Sequence, residues 1–287
     1  MSWYFFICFG GMFITHNGII KAADEPILTA QNRSFKYGDG LFETLKVHQG
    51  SVMLASLHFE RLFSGLLLLG ITATDDVTAS LLEEQIKELC TLNRCAALAR
   101  VRLTVYREED DKAGYVIEAV PLHPEENKWN EEGWTADIYP YARKSCDVFA
   151  RIKSTNHLPY VAAQLYAQEK GIDECLLLNN HNRICDGSRT NIFLVNKEKF
   201  YTPALYEGCV DGVMRRYLMD ALKQRGFVVV QTEVNETLLQ QSEECFLTNA
   251  IRGIRWIRSF REKQYSCTNT KTIYKEIIAP LYLKTED

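Results

Sequence analysis

Closely spaced metal ligands are missing from this 287-residue sequence. Its six histidines form no H-E-x-x-H motif and no close pair, and its nine cysteines form no C-x-x-C pair. Zinc sites use such spacings, so the sequence predicts no metal site. The cysteines are odd in number and lie mostly in apolar runs, which predicts reduced core thiols in a cytoplasmic protein instead of a disulfide framework.

An excess of positive charge and a long hydrophobic run are also missing. The net charge is −4 and the sequence pI is about 5.9, which predicts no nucleic-acid partner. The apolar opening "MSWYFFICFGGMF" is too short to span a bilayer and lacks a basic region, so no membrane association is expected. We interpret residues 1–11 as an extension ahead of the first strand, with a weak signal peptide as the alternative.

The hydrophobic content of 46% is enough for a buried core, and the length predicts one large or two modest domains. Strand-like and helix-like patterns alternate, which indicates an α/β fold. The pattern breaks at "HPEENKWNEEGW", where proline, charge and glycine come together. We therefore predict an N-terminal α/β domain over 12–124, a linker over 125–133 and a second domain over 134–287.

Two charged residues stand out beside predicted elements of the second domain. Lys153 lies in "RIKSTNHL", just before a helix-like segment, and Asp186 lies in a Gly/Ser turn of "ICDGSRTNIFLV", ahead of an apolar strand. Taken alone, a loop lysine is usually a solvated charge, and an aspartate before glycine usually shapes a turn. On the residues alone, this ordinary role and a role in a functional site both stay open for each residue.

Two further segments could hold an anion. "DGVMRR" reads as an aspartate cap and a first helical turn, which would leave the backbone N–H groups of Gly212, Val213 and Met214 free for a phosphate. Thr248 and Asn249 in "FLTNAIRG" lie at a predicted strand end, where they complete an anion site or make a turn. An ordinary capped helix would have the same sequence.

Six blocks of the chain occur in the order typical of one family: "SFKYGDGLFETLKV", "LHFERLFSGLLLLGI", "KSTNHL", "ICDGSRTNIFLV", "GCVDGVMRR" and "CFLTNAIRGIR". From about residue 12 to residue 284, the sequence resembles the class IV aminotransferases, the fold-type IV pyridoxal 5'-phosphate enzymes. The resemblance implies a two-domain fold, with a small N-terminal α/β domain and a larger C-terminal pseudo-barrel domain that binds the cofactor. It also implies a homodimer and a small-molecule amine substrate.

By this resemblance, Lys153 forms the Schiff base with pyridoxal 5'-phosphate and then moves protons, since only an amine forms an exchangeable imine. Asp186 pairs with the pyridine nitrogen, where the family usually has a glutamate that is one methylene longer. Four residues are expected to hold the phosphate: Arg61 through its guanidinium, Val213 and Met214 through their backbone N–H groups, and Asn249 through its side chain or backbone.

The substrate side distinguishes the reactions of this family. Leu158 stands five residues after the lysine, as in the lyases and D-amino acid enzymes of the family, where branched-chain enzymes typically have tyrosine. The D-specific enzymes also carry an R-x-H pair after their central strand, and no such pair follows "LTVYR". The sequence therefore most resembles aminodeoxychorismate lyase, which makes 4-aminobenzoate and pyruvate; the alternative is a branched-chain or other amino-acid aminotransferase. A non-catalytic protein that keeps the fold is the third interpretation.

Candidate substrate contacts come from two predicted strands. Phe42, Glu43 and Thr44 belong to the "GDGLFET" block and either face the substrate or pack in the strand. Arg102 and Arg107 lie on the "VRLTVYR" strand, and they face the same side only if a bulge intervenes, because their separation is odd. One of them is expected to meet a substrate carboxylate and the other to face water.

Overall fold

The computed structural model describes residues 12–282. The predicted extension over residues 1–11 and the last five residues of the predicted second domain lie outside the described residues. The first part of the chain contains nine elements: β1 (Phe13–His16), β2 (Ile19–Ala22), α1 (Arg33–Tyr37), β3 (Gly40–His48), β4 (Ser51–Val52), α2 (Ala55–Leu69), α3 (Ala79–Leu92), β5 (Leu98–Arg107) and β6 (Ala113–Pro121).

The six strands form one antiparallel sheet in the order β2-β1-β6-β5-β3-β4. Helices α2 and α3 cover one face of this sheet. Leu82, Ile86 and Leu89 of α3 recur at helical spacing and are fully buried, as a helix with one core-facing stripe requires. Gly65 lets α2 approach β3 closely, because a Cβ atom at this position would lie 2.7 Å from Leu41 Cδ1.

The second part of the chain begins at Trp134. Its elements are β7 (Trp134–Lys144), α4 (Leu158–Lys170), β8 (Glu174–Asn179), β9 (Ile184–Gly187), β10 (Asn191–Asn196), β11 (Lys199–Pro203), α5 (Val213–Gln224), β12 (Val228–Thr232), α6 (Glu236–Gln241), β13 (Glu244–Asn249), β14 (Gly253–Phe260), β15 (Lys263–Gln264) and α7 (Thr268–Ile273). A π-helical turn over Tyr274–Ile278 and a 3-10 turn over Ala279–Tyr282 continue α7.

These strands form a mixed sheet in the order β12-β11-β10-β13-β14-β7-β8-β9, with β15 beside β14. The pairs β11–β12, β14–β7 and β7–β8 are parallel, and the other pairs are antiparallel. Only residues 188–190 connect β9, at one end of this order, to β10 near the other end. Such a short turn requires the sheet to curl, which brings its two ends together.

Helices cover the curled sheet on separate faces. Leu218 and Leu222 of α5 are fully buried in a cluster with Phe193 and Phe246, whose rings stack with centroids 5.1 Å apart. Helix α4 buries Tyr160, Ala163 and other residues against β8. These helices leave the junction between the two sheets free for a cavity.

Backbone hydrogen bonds join the first sheet to the segment between β7 and α4. The Phe42 N–H donates to the Lys153 carbonyl at 2.8 Å, and the Thr155 N–H donates to the Gly40 carbonyl at 2.9 Å. Buried strands normally satisfy such groups within their own sheet. Here β3 therefore fixes the position of the lysine-bearing segment.

The expectation that Asp186 lies in a Gly/Ser turn was wrong, because Asp186 lies within β9 and the turn starts at Ser188. In β14, Arg255 interrupts the apolar pattern, yet it is buried because its guanidinium donates to the carbonyls of Arg252, Ile254 and Glu126 at 2.8–3.1 Å. A charged residue in an apolar run is therefore compatible with a buried strand when its hydrogen bonds are satisfied.

No helix within residues 12–282 is long and apolar enough to cross a membrane. In the same range, no group of three or more His, Cys, Asp or Glu side chains is arranged to hold a metal ion. The eight cysteines there are all unpaired, and six of them are buried.

Candidate active site

A cavity of about 440 Å³ lies between the two sheets, a size that suits a cofactor-sized ligand. It is bounded by β3 and β5 of the first sheet, by the lysine-bearing segment, and by the ends of β9, β10 and β13 in the second sheet. Nine of the ten predicted site residues line it: Phe42, Thr44, Arg61, Arg102, Lys153, Asp186, Val213, Met214 and Asn249.

Lys153 is the amine at the centre of this cavity. Its Nζ lies 4.5 Å from the centroid of the Phe42 ring. Burial and the neighbouring cations Arg61 and Arg102 lower the pKa of Lys153 to about 8, although Glu43 acts in the opposite direction. The neutral form of this lysine is therefore far more populated near physiological pH than in an ordinary lysine, and a neutral amine is the form that acts as a nucleophile or base.

Asp186, the next-to-last residue of β9, has a fully buried carboxylate that accepts four hydrogen bonds. Oδ2 accepts from Lys144 Nζ at 2.7 Å, from the Tyr160 hydroxyl at 2.8 Å and from the Val210 N–H at 3.0 Å. Oδ1 accepts only from Asn191 Nδ2, at 2.8 Å. Because each carboxylate oxygen has two lone pairs, Oδ1 can accept one further hydrogen bond from a ligand.

The start of α5 presents backbone donors to the cavity. Gly212 precedes this helix and provides no capping side chain, so the N–H groups of Val213 and Met214 have no partner within residues 12–282. The predicted third donor was wrong, because the Gly212 N–H donates to the Val210 carbonyl at 2.8 Å. The predicted cap was also wrong, since Gly212 is the N-cap residue and Asp211 lies one position before it.

Two residues at the end of β13 complete this part of the cavity. Asn249 Oδ1 accepts from the N–H groups of Ile251 and Arg252, at 3.1 and 2.8 Å, and so shapes the turn after the strand. The adjacent Thr248 hydroxyl is buried, lines the cavity and has no partner within residues 12–282. Buried hydroxyls without partners are costly, which points to a ligand that completes the hydrogen bonding here.

Arg61 is held in place by a buried carboxylate. Its Nε and Nη2 donate to the two oxygens of Glu43 at 2.7 and 2.5 Å, and its Nη1 donates to the Asp211 carbonyl at 2.9 Å. Although burial acts to raise it, the pKa of Glu43 falls to about 2 because of Arg61 and His58. A guanidinium has five N–H donors, so two remain for an anion in the cavity.

Strand alternation separates the three candidates of the "GDGLFET" block. Phe42 and Thr44 point into the cavity, whereas Glu43 points to the opposite face and binds Arg61. The expectation that Glu43 faces the substrate is therefore wrong. Arg102 stacks over the Phe42 ring, with its Cζ 3.9 Å from the centroid.

The structure does not bring Arg107 to the cavity. Strand β5 pairs with β3 and β6 without a bulge, so Arg107 and Arg102 lie on opposite faces. The expectation that the second arginine faces water is also wrong. Arg107 is mostly buried, and it donates to Asp39 at 3.0 Å and to the carbonyls of Leu69 and Gly70 at 2.7 and 2.9 Å.

Several cavity residues were missed from the sequence. Arg100 lies two residues before Arg102, so strand alternation could have identified it. Arg189 and Arg252 come from turns, and Arg252 binds Glu126 of the predicted linker at 2.7 and 3.2 Å. Only tertiary structure brings these side chains together.

His157 and Tyr160, at the start of α4, were missed as well. Their rings stack with centroids 4.0 Å apart, and both line the cavity. Burial and the cations Lys153 and Lys144 lower the pKa of His157 to about 3, so its imidazole is uncharged at neutral pH. Histidine at this position carries no sequence signal that distinguishes it from a surface residue.

A comparison with protein families identifies this arrangement. The family model described as amino-transferase class IV matches residues 40–260, which is most of the chain. The chain belongs to the class IV aminotransferase family. The residues that line the cavity from Phe42 to Arg252 all fall within the matched range.

Relatives within this family carry different activities in their names. A Methanocaldococcus jannaschii protein, provisionally named a branched-chain-amino-acid aminotransferase, is 28% identical over 248 residues, which cover 83% of this chain and 84% of the relative. The aminodeoxychorismate lyase of Bacillus subtilis is 28% identical over 263 residues, which cover 87% of each chain. This class IV aminotransferase homologue is therefore an enzyme of the aminotransferase or lyase kind.

Solved structures of family members share its fold. The branched-chain aminotransferase of Thermoproteus uzoniensis, solved with norvaline, superposes with a TM-score of 0.87 at 22% identity and covers 96% of this chain and 97% of its own. A hypothetical aminotransferase from Mycobacterium tuberculosis, in its PLP-bound form, has a TM-score of 0.81 at 17% identity and covers 94% and 99%. The predicted α/β fold of type IV is confirmed.

Proposed function

We propose that this enzyme binds pyridoxal 5'-phosphate and acts as an aminodeoxychorismate lyase. The polar groups around the cavity fit the cofactor: an amine on Lys153, a carboxylate acceptor on Asp186 and a cluster of anion-binding groups. The unpartnered Thr248 hydroxyl, the free N–H groups of Val213 and Met214 and the two remaining donors of Arg61 would hold the phosphate. When bound, the cofactor supplies an electron sink for a carbanion.

The residues of the chain have separable tasks in this reaction. Lys153 accepts the proton from the ring carbon that bears the substrate amine, and its lowered pKa makes the neutral, proton-accepting form more accessible near neutral pH than in an ordinary lysine. Asp186 keeps a proton on the cofactor's ring nitrogen through the free lone pair of Oδ1. Loss of the enolpyruvyl ether then gives pyruvate and an aromatic 4-aminobenzoate.

The positive charge on the substrate side is the observation that carries the lyase proposal. Once Arg61, Lys153 and Asp186 are assigned to the cofactor, the remaining charged lining consists of four arginines and one glutamate: Arg100, Arg102, Arg189, Arg252 and Glu126. Aminodeoxychorismate has two carboxylates, whereas a branched-chain amino acid has one carboxylate and an apolar side chain. Guanidinium groups suit carboxylates, and an apolar side chain would gain little from this lining.

The alternative activity is amino-acid transamination, which the similarity to the archaeal protein of 28% identity favours. Both reactions begin with proton removal by Lys153, but only a transaminase needs a keto acid as co-substrate. We therefore expect the purified enzyme to release pyruvate from aminodeoxychorismate with no keto acid present. Turnover that requires an amino donor together with 2-oxoglutarate would refute the lyase assignment and establish transamination.

We also propose that the enzyme is a homodimer. Helix α4 exposes one apolar stripe, in which Leu158, Val161 and Leu165 are 72%, 48% and 61% exposed, and Val161 also reaches the cavity. Exposed apolar surface of this kind is typical of association sites. Sedimentation should give a dimer for the native chain and a monomer for Leu165→Glu; a native monomer would contradict the proposal.

The unpaired thiols support the proposal that the enzyme is cytoplasmic. Six of the eight described cysteines are buried and unpaired, as is usual for proteins kept in a reducing compartment. We propose no nucleic-acid partner, because the net charge is −4. Fractionation of cells that express the tagged chain would test the location directly.

A further inference from the structure

Glu174 is a buried carboxylate behind the cavity that the proposed reaction does not use. It begins β8, is fully buried and does not line the cavity. Its Oε1 accepts from the N–H groups of Cys175 and Ser188, at 3.0 and 2.9 Å, and from the Ser188 hydroxyl. Its Oε2 accepts from the Thr190 hydroxyl at 3.1 Å, so none of the four donors carries a charge.

These bonds hold the turn that connects β9 to β10. The Gly187 N–H donates to the Thr190 carbonyl at 2.8 Å, and a Cβ atom on Gly187 would lie 2.2 Å from Thr190 Oγ1 and 3.2 Å from the Glu174 carboxyl carbon. The turn is therefore packed directly against the carboxylate. On either side of the turn, Asp186 and Asn191 are joined by a 2.8 Å hydrogen bond, which is one of the four that hold the Asp186 carboxylate and the only one of these four to Oδ1.

The turn supplies much of one cavity wall. Three of its residues and the two residues that flank it line the cavity: Ser188, Arg189 and Thr190, with Asp186 and Asn191. Any displacement of this turn therefore moves the proposed partner of the ring nitrogen together with part of the substrate side.

We propose that Glu174 is a positioning residue, which acts through the 187–190 turn to set the orientation of Asp186 and of two cavity hydroxyls. This inference rests on the proposed function, because its effect is measured at the cofactor. It has a chemical consequence for the ligand. Ser188 and Thr190 line the cavity and both donate their hydroxyl protons to Glu174, so each oxygen has only lone pairs left for any other partner. A ligand that reaches these oxygens would have to donate to them through an amine or hydroxyl, and a carboxylate would be disfavoured.

Glu244 provides a matched control within the same chain. It is equally buried, at 1% exposure, and it also accepts four hydrogen bonds from uncharged donors. The N–H and Nδ2 of Asn269 donate at 2.8 and 3.1 Å, and the N–H and hydroxyl of Thr270 donate at 2.8 and 2.6 Å. These donors hold the start of α7, and none of these residues lines the cavity.

The test compares Glu174→Gln and Glu244→Gln with the native full-length enzyme. Each substitution keeps the side-chain volume and turns one buried acceptor into a donor, so both should lower the thermal midpoint by a similar amount. Only Glu174→Gln should raise the dissociation constant of pyridoxal 5'-phosphate, on the order of tenfold, because the charge-assisted bonds that hold the turn are lost. Hydrogen exchange of the segment over 184–195 should become faster in this variant alone.

Equal cofactor affinity and equal exchange in the two variants would overturn the proposal, since Glu174 would then be only structural. If the native enzyme does not bind pyridoxal 5'-phosphate, the proposed function fails, and exchange of the turn alone decides the role of Glu174. If Glu174→Gln does not fold, Ser188→Ala tests the same link with the carboxylate intact. We expect it to weaken cofactor binding by less than the tenfold change, and unchanged binding would contradict the proposal.

Discussion

Asp186→Asn, which breaks the buried Lys144–Asp186 ion pair, should lower both stability and activity, whereas removal of both charges should restore the stability alone. Lys144 Nζ lies 2.7 Å from Asp186 Oδ2, and the two side chains are 6% and 1% exposed. Asp186→Asn preserves the shape of the side chain but leaves the ammonium group without its carboxylate. Breaking a buried pair in this way costs about 3–5 kcal/mol of the free energy of unfolding.

The pKa of Lys144 supports the prediction that Asp186→Asn lowers the free energy of unfolding. Burial alone would lower the pKa of Lys144, and the carboxylate of Asp186 is the main cause that raises it above its usual value. Without Asp186, folding must bury an uncompensated cation or release its proton. The loss of stability in Asp186→Asn should therefore be smaller at high pH, where the unfolded chain also loses this proton.

The double variant Asp186→Asn/Lys144→Met removes both charges. Replacing both partners of a buried pair is often neutral or stabilising, so the double variant should recover most of the lost stability. Activity should not return, because neither variant has a carboxylate beside the cofactor's ring nitrogen. Both proteins should still attach the cofactor to Lys153, since this step needs only the amine.

Chemical denaturation and turnover, measured on the native enzyme, Asp186→Asn, Lys144→Met and the double variant, provide the assay. A coupling free energy near zero between the two substitutions would show that the ion pair does not stabilise the fold. Full activity in Asp186→Asn would show that Asp186 only shapes the backbone, which would refute its proposed role. Recovery of activity in the double variant would also refute the proposed role of Asp186.

Three further predictions concern the substrate, the phosphate and the lysine. Arg102→Leu should raise KM about 10- to 100-fold with little change in kcat, as expected for a lost charged hydrogen bond, whereas Arg107→Leu should lower stability and leave KM unchanged. Thr248→Val, which is nearly isosteric, should weaken cofactor binding by about tenfold or less; unchanged affinity would remove Thr248 from the phosphate site. Because burial and Arg61 lower the pKa of Lys153 to about 8, the rate of cofactor attachment should rise with pH and level off above about 8, and a midpoint near the ordinary value of 10.5 would contradict this.

Much of the site could be predicted because motif residues lie at the ends of elements. Lys153 follows β7, Asp186 lies one residue before the end of β9, Val213 begins α5 and Asn249 ends β13, and all four residues line the cavity between the sheets. Local sequence patterns contain this information. The predicted domain bounds at 12–124 and 134–287 stay predictions, although each sheet lies within one of these ranges.

The sequence could not predict features that depend on contacts between distant segments. Strand parity allowed one of two arginines to reach the cavity, but only the unbulged pairing of β5 selects Arg102 over Arg107. The ammonium group behind Asp186 comes from Lys144, 42 residues earlier. The four-arginine lining likewise combines one strand and two separate turns, which no local pattern links.

Reductive trapping tests the central claim most directly. The native chain would be incubated with pyridoxal 5'-phosphate, reduced with borohydride, digested and mapped by mass spectrometry. We predict that the cofactor is attached to the peptide that contains Lys153 and that Lys153→Ala is not labelled. Lys46 is the buried amine that could compete, because burial lowers its pKa to about 7. A label on Lys46, or no label on Lys153, would contradict the proposed active site.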